Sequence, residues 1–196
     1  MTTFYSREEL EALGIKKIGE DVSISRNAMI YHPQSLEIGN HVRIDDFTTI
    51  SGKVVIGNYV HFSQFCGLYG GDAGIYIGDF DGFASRVVIY AISDDYSGNS
   101  MIGPMVPEKY ETTYFEKTVR LEKQVIVGCA AVILPGVTIG EGCSVGAMSL
   151  VTKPLEAWGM YAGIPARRLR DRSKKLLELE AQLLAETKET TPPRVK

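Results

Sequence analysis

A six-residue repeat constrains the fold of this chain more than any other feature of its sequence. An aliphatic or phenylalanine side chain recurs at every sixth position, and the longest uninterrupted runs are Ile38, Ile44, Ile50, Ile56, Phe62, Leu68 and Val127, Ile133, Ile139, Val145, Val151. This period does not match an α-helix, which has 3.6 residues per turn. It matches a short strand and a turn, with one large side chain pointing inward on each strand. The repeat therefore predicts an all-β solenoid in which three repeats close one triangular coil.

The residues around each inward side chain support this interpretation. Glycine often follows directly, as in Ile56-Gly57, and we expect it to give the backbone the freedom to turn. A compact residue often stands four positions after the inward one, where it suits a tight corner, as at Val60, Cys66 and Ala131. A β-sandwich is the alternative fold, but irregular hairpins do not produce a fixed period with so few slips.

Charge, apolar runs and cysteine content disfavour several classes of protein. The chain has 21 Lys and Arg against 24 Asp and Glu, and its net charge of -3 disfavours nucleic-acid binding, which needs a basic surface. No apolar run approaches the roughly 18–20 residues that span a bilayer. The three cysteines are an odd number without paired spacing, which indicates a reducing, cytoplasmic setting rather than a disulfide framework.

Two stretches near the C-terminal end carry a resemblance to a known family. Residues 139–153 read IGEGCSVGAMSLVTK and residues 162–167 read AGIPAR, and together they resemble the C-terminal signature of the hexapeptide-repeat acyltransferases. Residues 18–170 resemble the galactoside and maltose acetyltransferase branch and are similar to the N-acetyltransferases of nucleotide-linked amino sugars. The resemblance implies a left-handed parallel β-helix, acetyl-CoA as the acyl donor, no metal, and a homotrimer with active sites between adjacent subunits.

The segments outside the regular repeat predict how the chain is organised. Residues 1–17 form a capping segment with a short helix, for which Ser6 and Glu9 supply a capping box. The β-helix covers residues 18–166, and residues 94–118 form an inserted loop that we expect to border the acceptor site. Residues 167–190 predict an amphipathic C-terminal helix, and residues 191–196 predict a disordered tail.

The resemblance also implies which residues bind the acyl donor. In family members coenzyme A lies along the C-terminal coils, where small residues let its pantetheine arm approach the main chain. The positions that match the family's contacts are Cys129, Ala147, Thr152, Lys153, Arg167 and Arg170. The three basic side chains are suited to the phosphates of coenzyme A. Cys129 is not predicted to be a nucleophile, because the family transfers the acyl group directly.

The acceptor is indicated by a histidine that is missing. Galactoside-type enzymes place a histidine in the loop after the central coils, whereas residues 89–98 of this chain read IYAISDDYSG. A hydroxyl needs a positioned base before it can attack a thioester, while an amine attacks through its own lone pair. We therefore expect an amine acceptor, with Asp94 or Asp95 orienting the ammonium group or taking its proton. The alternatives are that these aspartates only form a turn, or that the enzyme O-acetylates a sugar.

His61 is the third catalytic candidate, because it precedes the inward Phe62 and should point outward, where it would complete a site with Asp94 of a neighbouring subunit. The only other histidines are His32 and His41, and their spacing disfavours a zinc carbonic anhydrase. A non-enzymatic scaffold is disfavoured by the donor signature. The resulting prediction is N-acetylation of a dTDP- or GDP-linked 4-amino-4,6-dideoxyhexose for surface polysaccharide (O-antigen) synthesis.

Overall fold

The structure, a computed structural model, describes residues 3–190 as a β-solenoid of about seven turns. The solenoid strands form three sheets, and each of the first six coils contributes one strand to each sheet. Sheet 1 contains β1 (Lys17–Ile18), β4 (Leu36–Ile38), β7 (Val54–Ile56), β10 (Ile75–Ile77), β15 (Val119–Leu121) and β18 (Thr138–Ile139).

Sheets 2 and 3 follow the same order along the solenoid. Sheet 2 contains β2 (Val22–Ile24), β5 (Val42–Ile44), β8 (His61–Phe62), β11 (Gly82–Phe83), β16 (Ile126–Val127), β19 (Ser144–Val145), β21 (Gly159–Ala162) and β22 (Arg167–Asp171). Sheet 3 contains β3 (Met29–Tyr31), β6 (Thr49–Ser51), β9 (Gly67–Tyr69), β12 (Val88–Tyr90), β17 (Val132–Ile133) and β20 (Leu150–Val151). Within these three sheets neighbouring strands are parallel, except for β21 and β22, which are antiparallel.

The core confirms the six-residue repeat. The repeated large side chains point inward and are almost wholly buried, and in sheet 2 the rings of Phe62 and Phe83 stack with centroids 4.3 Å apart. The compact residues four positions later are also buried, among them Val60, Cys66 and Ala131. Each six-residue repeat therefore contributes two inward residues, and together they form one continuous apolar core along the solenoid.

The glycines have a different role from the one expected. A Cβ atom on Gly39 would lie 2.5 Å from the carbonyl oxygen of Gly57 in the next coil, so glycine is needed there because the two backbones approach closely. The left-handed backbone conformation falls two positions after each of these glycines. The residues there, His41, Tyr59 and Phe80, have φ of 56°, 57° and 62°, and their rings stack on one another. The turn thus depends on left-handed residues that are not glycine.

The N-terminal helix is the predicted one. Helix α1 (Arg7–Ala12) begins after Ser6, whose Oγ accepts a hydrogen bond from the Glu9 backbone N–H at 3.3 Å. The Glu9 carboxylate in turn accepts one from the Ser6 N–H at 2.7 Å, which completes the capping box. Leu10 is buried in the core cluster, so the helix covers apolar residues at the first coils.

The C-terminal region departs from the prediction that residues 167–190 are one helix. Arg167–Asp171 is β22, and helix α2 spans only Leu176–Thr190. The edge of β21 offers unpaired backbone groups, and β22 pairs with it in the antiparallel sense and covers it. The predicted tail, residues 191–196, lies outside the described residues.

Two contacts fasten this region to the solenoid. The Arg172 guanidinium Nη1 donates hydrogen bonds to three main-chain carbonyls, those of Gln124, Gly142 and Cys143, at 2.7, 3.1 and 3.1 Å. In helix α2, the carboxylate of Glu180 lies 2.9 Å from Lys123 Nζ. The helix is therefore held at the corner between sheets 1 and 2.

The chain leaves the solenoid after Tyr90 and re-enters it at Val119. The ends of this insertion form an antiparallel ribbon, β13 (Ile92–Asp94) and β14 (Tyr114–Glu116), with Ile92 opposite Glu116 and Asp94 opposite Tyr114. The insertion contains one short 3₁₀ helix, Glu108–Tyr110, and a second one, Pro33–Ser35, lies in the first coil. The ribbon projects from the corner between sheets 3 and 1.

Candidate active site

Two adjoining clefts lie where the ribbon meets sheet 3. The first has a volume of about 780 Å³ and is lined by Tyr90, Ile92, Ser93, Asp94, Tyr96, Tyr114, Val132, Leu134, Pro135 and Leu150. The second has a volume of about 410 Å³ and is lined by Ser93, Asp94, Asp95, Tyr96, Ser97, Phe115, Lys117, Leu134, Pro135 and Thr152. Asp94 lines both clefts, as do Ser93, Tyr96, Leu134 and Pro135, so it lies where the clefts adjoin.

The side chain of Asp94 is available to a ligand. It is the last residue of β13 and is half-buried. The Ser93 hydroxyl donates to the main-chain carbonyl of Asp94 at 3.0 Å, and within residues 3–187, whose side chains the structure describes, no hydrogen bond or ion pair reaches the Asp94 carboxylate. A carboxylate in this position can pair with a cationic group that enters from either cleft.

Asp95 is arranged differently from its neighbour. Its side chain is buried, and its carboxylate accepts hydrogen bonds from the Ser97 N–H and hydroxyl, both at 2.9 Å, and from the Asn99 N–H at 3.0 Å. The bonds from Ser97, more than the one from Asn99, hold the pKa of Asp95 below its ordinary value. The structure therefore separates the acidic pair, with Asp95 fixing the turn and Asp94 facing the clefts.

Tyrosines surround the first cleft. Tyr90 stacks on Tyr69 of the preceding coil with ring centroids 4.9 Å apart, and burial raises the pKa of its phenol. Tyr114 stands opposite Asp94 in the ribbon, and its pKa is raised by burial and by the nearby carboxylates of Glu116 and Asp94. Both phenols therefore remain protonated around neutral pH and can act as hydrogen-bond donors.

The third catalytic candidate, His61, is not near Asp94 in the same chain. It points outward from sheet 2, and its Nε2 lies 2.9 Å from an Asp45 carboxylate oxygen. Burial tends to raise the pKa of Asp45, but hydrogen bonds from His61 and Arg43 outweigh it and keep that pKa below its ordinary value. Asp45 was not predicted from the sequence, because its contact with His61 depends on the pairing of β5 with β8. That pairing places Arg43 opposite His61.

The predicted donor residues lie at two corners of the solenoid. Cys129 and Ala147 occupy successive coils at the corner between sheets 2 and 3, where the Met148 N–H donates to the Cys129 carbonyl at 2.8 Å. Arg167 on β22 lies opposite Ala162, close to this corner, whereas Arg170 lies further along β22, opposite Met160. The side chains of Ala147, Arg167 and Arg170 are exposed, as a ligand-binding surface requires.

Thr152 and Lys153 lie at the other corner of sheet 3. They follow β20 directly, both are exposed, and Thr152 lines the second cleft. The structure therefore brings Thr152 together with Asp94 and leaves Cys129 and Ala147 outside both clefts. Lys117 is a further basic residue in the second cleft that the sequence analysis missed, because its place follows from the ribbon rather than from the repeat.

Among the side chains of residues 3–187, no cluster of three or more His, Cys, Asp or Glu is arranged to hold a metal ion. None of the helices described is long and apolar enough to cross a membrane.

Comparison with known proteins gives relatives for both the repeat and the whole chain. Residues 118–153 match the family described as bacterial transferase hexapeptide (six repeats). The dTDP-4-amino-4,6-dideoxy-D-glucose acyltransferase of Escherichia coli is 42% identical over 176 residues, which cover 88% of this chain and 91% of that protein. The galactoside O-acetyltransferase of Escherichia coli strain K12 is 28% identical, with 71% of each chain covered.

The solved structures include a relative that aligns with this chain over almost its whole length. AntD, an N-acyltransferase from Bacillus cereus, was solved in complex with dTDP and 3-hydroxybutyryl-CoA. It is 45% identical, with a TM-score of 0.93 over 96% of this chain and all of the AntD chain. The repeat, the extent of the coils and the near full-length identity to an acyltransferase agree, and this chain belongs to the family of hexapeptide-repeat acyltransferases.

Proposed function

We propose that this enzyme transfers an acyl group from a coenzyme A thioester to the 4-amino group of a dTDP-linked 4-amino-4,6-dideoxyhexose. The observation that carries the proposal is the unpaired carboxylate of Asp94, which stands between two clefts and has no partner within the described residues. A cationic amine suits this carboxylate better than a neutral hydroxyl does. The 42% identity to a dTDP-amino-sugar acyltransferase supports the same acceptor.

The residues around the two clefts suggest how the transfer proceeds. The acceptor enters as an ammonium ion that pairs with Asp94, and Asp94 takes or relays one proton so that the amine becomes neutral. The amine nitrogen then attacks the thioester carbonyl carbon, a C–N bond forms, and the C–S bond breaks. Coenzyme A leaves as a thiolate and takes up the second proton of the ammonium group, so that the products are an amide and a thiol.

Each of the two clefts can be assigned to one substrate. We assign the acceptor to the first cleft, where Tyr90, Tyr96 and Tyr114 offer rings and phenols to the sugar and its nucleotide. The donor approaches Asp94 from the second cleft, where Lys117 and Thr152 are available to its polar groups. Asp94 is then the residue at which both reacting groups meet.

The division of the donor residues between two corners supports a homotrimer. Cys129 and Ala147 do not line the clefts that contain Asp94 and Thr152, so one chain does not present the whole predicted donor surface to one cleft. A cyclic arrangement of three copies places one corner of each chain against the cleft of the next. Light scattering should give three times the chain mass of 21.6 kDa.

We place the enzyme in the cytoplasm, where both coenzyme A thioesters and nucleotide-linked sugars are made, and assign its product to the synthesis of a surface polysaccharide such as O-antigen. The three free cysteines agree with a reducing compartment.

The test is a direct acceptor comparison. Purified protein with acetyl-CoA is given dTDP-4-amino-4,6-dideoxyglucose, its GDP-linked counterpart or a galactoside, and the products are identified by mass spectrometry. Amide formation on the dTDP-linked amino sugar with the highest kcat/KM is the expected result. Faster acetylation of the galactoside hydroxyl would replace the proposal with sugar O-acetylation.

The acyl group needs a separate experiment. Acetyl is the group that the family resemblance implies, whereas AntD was solved with a four-carbon hydroxyacyl donor. Competition between acetyl-CoA and 3-hydroxybutyryl-CoA for one acceptor will show which donor has the higher kcat/KM.

A further inference from the structure

The turn below the ribbon contains a glycine whose missing side chain makes room for both ribbon strands. Gly71 lies between β9 and β10, at the corner between sheets 3 and 1, and has a left-handed φ of 53°. A Cβ atom there would lie 2.2 Å from Ile92 Cγ2 and 2.5 Å from Glu116 Oε1. Ile92 and Glu116 are opposite each other in the ribbon, so one added methyl group would press on a side chain from each strand, most firmly on the branched side chain of Ile92.

Hydrogen bonds fasten the ribbon to the same turn. The Asp72 N–H donates to Glu116 Oε1 at 3.2 Å, and the Thr118 hydroxyl donates to the Ala73 carbonyl at 2.9 Å. The chain entering and the chain leaving the ribbon are joined by a bond from the Lys117 N–H to the Ala91 carbonyl at 2.9 Å. The ribbon is thus seated on residues 71–73 rather than suspended in solvent.

The Ile92–Glu116 pair, which contacts this turn, lies two residues along each ribbon strand from the candidate catalytic carboxylate. Asp94 is two residues beyond Ile92 on β13, and its partner Tyr114 is two residues before Glu116 on β14. A shift of the Ile92–Glu116 pair is therefore passed directly to the Asp94–Tyr114 pair. Misplacing a catalytic group by about 1 Å is enough to lower a rate about 10²-fold.

We propose that Gly71 is a positioning residue for acyl transfer: it lets the ribbon sit closely enough on the solenoid to hold Asp94 at the meeting point of the two clefts. The Glu116 carboxylate completes the seat through its bond to the Asp72 N–H. This inference rests on the function proposed for Asp94, and it adds two residues that contact neither substrate.

The main test is the Gly71→Ala variant compared with Gly14→Ala. Gly14 has a φ of 76° but no atom within 4 Å of an added Cβ, so its variant carries the same backbone strain without the clash. We expect Gly71→Ala to lower kcat for the amino sugar about 10- to 100-fold and to leave the KM for acyl-CoA within about twofold. Gly14→Ala should retain wild-type kinetics.

A second pair of variants, at Glu116, tests the inference independently of Gly71→Ala. Glu116→Ala loses the acceptor for the Asp72 N–H and should lower kcat, whereas Glu116→Gln keeps an acceptor oxygen and should restore kcat to within about twofold of wild type. If Gly71→Ala does not fold, this pair decides the question. Equal kinetics for Glu116→Ala and Glu116→Gln would then overturn the inference.

Hydrogen exchange separates this inference from the proposed function. Gly71→Ala should speed amide exchange in the ribbon strands Ile92–Asp94 and Tyr114–Glu116 at least about tenfold, and Gly14→Ala should not. If the wild-type enzyme does not acylate the amino sugar, the proposed function fails, but ribbon exchange still reports whether Gly71 fixes the ribbon. Exchange and kinetics indistinguishable from those of Gly14→Ala would show that Gly71 has no positioning role.

Discussion

Asp94 and Tyr114 stand opposite each other at the open end of an antiparallel ribbon, and both line the same cleft. Asp95, the next residue along the chain, has its carboxylate committed to three hydrogen bonds from Ser97 and Asn99. Two identical side chains that are adjacent in sequence therefore have different environments. The ribbon determines which of them is free to meet a substrate.

This difference leads to the first prediction. Asp94→Asn keeps the size of the side chain but removes its charge and its basicity, so kcat/KM for the amino sugar should fall about 10²-fold or more. Asp95→Asn weakens the turn and should lower the free energy of unfolding, with less than a tenfold loss of kcat/KM. Steady-state kinetics and denaturant unfolding of both variants provide the check. If both lose less than about threefold in kcat/KM, the acidic pair only shapes the turn and His61 becomes the leading base.

The second prediction concerns the donor surface at the corner between sheets 2 and 3. Ala147 is exposed on the coil next to Cys129, and an indole ring there would cover the main chain that a pantetheine arm must approach. Ala147→Trp should weaken coenzyme A binding at least about tenfold with the fold intact, measured by calorimetry and circular dichroism. Ala157→Trp, also exposed but at the corner between sheets 1 and 2, is the matched control. Unchanged affinity in Ala147→Trp would remove this corner from the donor site.

How much of this could be predicted from the sequence depends on the kind of interaction. The core followed from the repeat because burial at every sixth residue is a local pattern, as Ile44 and Phe62 illustrate. Strand β22 was missed because Leu169 among charged residues suits a surface helix, whereas the open edge of β21 that selects a strand exists only in the folded solenoid. The Asp45–His61 pair was missed for a similar reason, since it depends on which residues of successive coils lie side by side.

The third prediction concerns pH and a buried carboxyl group. Asp81 is almost fully buried and accepts hydrogen bonds from the Val125 N–H at 2.7 Å and the Gly78 N–H at 3.2 Å. Burial, aided by the nearby carboxylates of Asp79 and Glu122, raises the pKa of Asp81 to about 8. In the unfolded chain the same group ionises near pH 4, at its ordinary pKa of about 3.9. Between about pH 4 and pH 8 the folded state therefore binds a proton that the unfolded state has lost.

The sign of the effect follows from this difference. The contribution of Asp81 to the free energy of unfolding falls as pH rises from about 4 to about 8, by an amount on the order of a few kcal/mol, and is constant above pH 8. Asp81→Asn has no such titration, so its stability should decline less over this range. Denaturant unfolding of both proteins at pH 5, 6.5 and 8 measures the two slopes. Parallel slopes would mean that Asp81 ionises in the folded protein near its ordinary pKa.

The last prediction tests whether a complete site needs two chains. Asp94 projects from the corner between sheets 3 and 1, whereas Ala147 lies at the corner between sheets 2 and 3 and lines neither cleft. In the proposed trimer, the Asp94 cleft of one chain faces the Ala147 corner of the next. Asp94→Asn and Ala147→Trp then damage opposite halves of each site, and trimers made of either variant alone have no intact site.

Mixed trimers should behave differently. When the two variants are co-expressed in equal amounts and assemble at random, roughly one site in four combines an intact Asp94 from one chain with an intact Ala147 from its neighbour. About a quarter of the wild-type kcat should therefore return, with a wild-type KM for acyl-CoA. A mixture of the two separately assembled trimers is the control, and at an acyl-CoA concentration well below the Kd of Ala147→Trp it should keep only the low activity of the two variants. If co-expression restores nothing although mixed trimers are present by mass spectrometry, Asp94 and the Ala147 corner do not combine across chains, and the donor must reach Asp94 along its own chain.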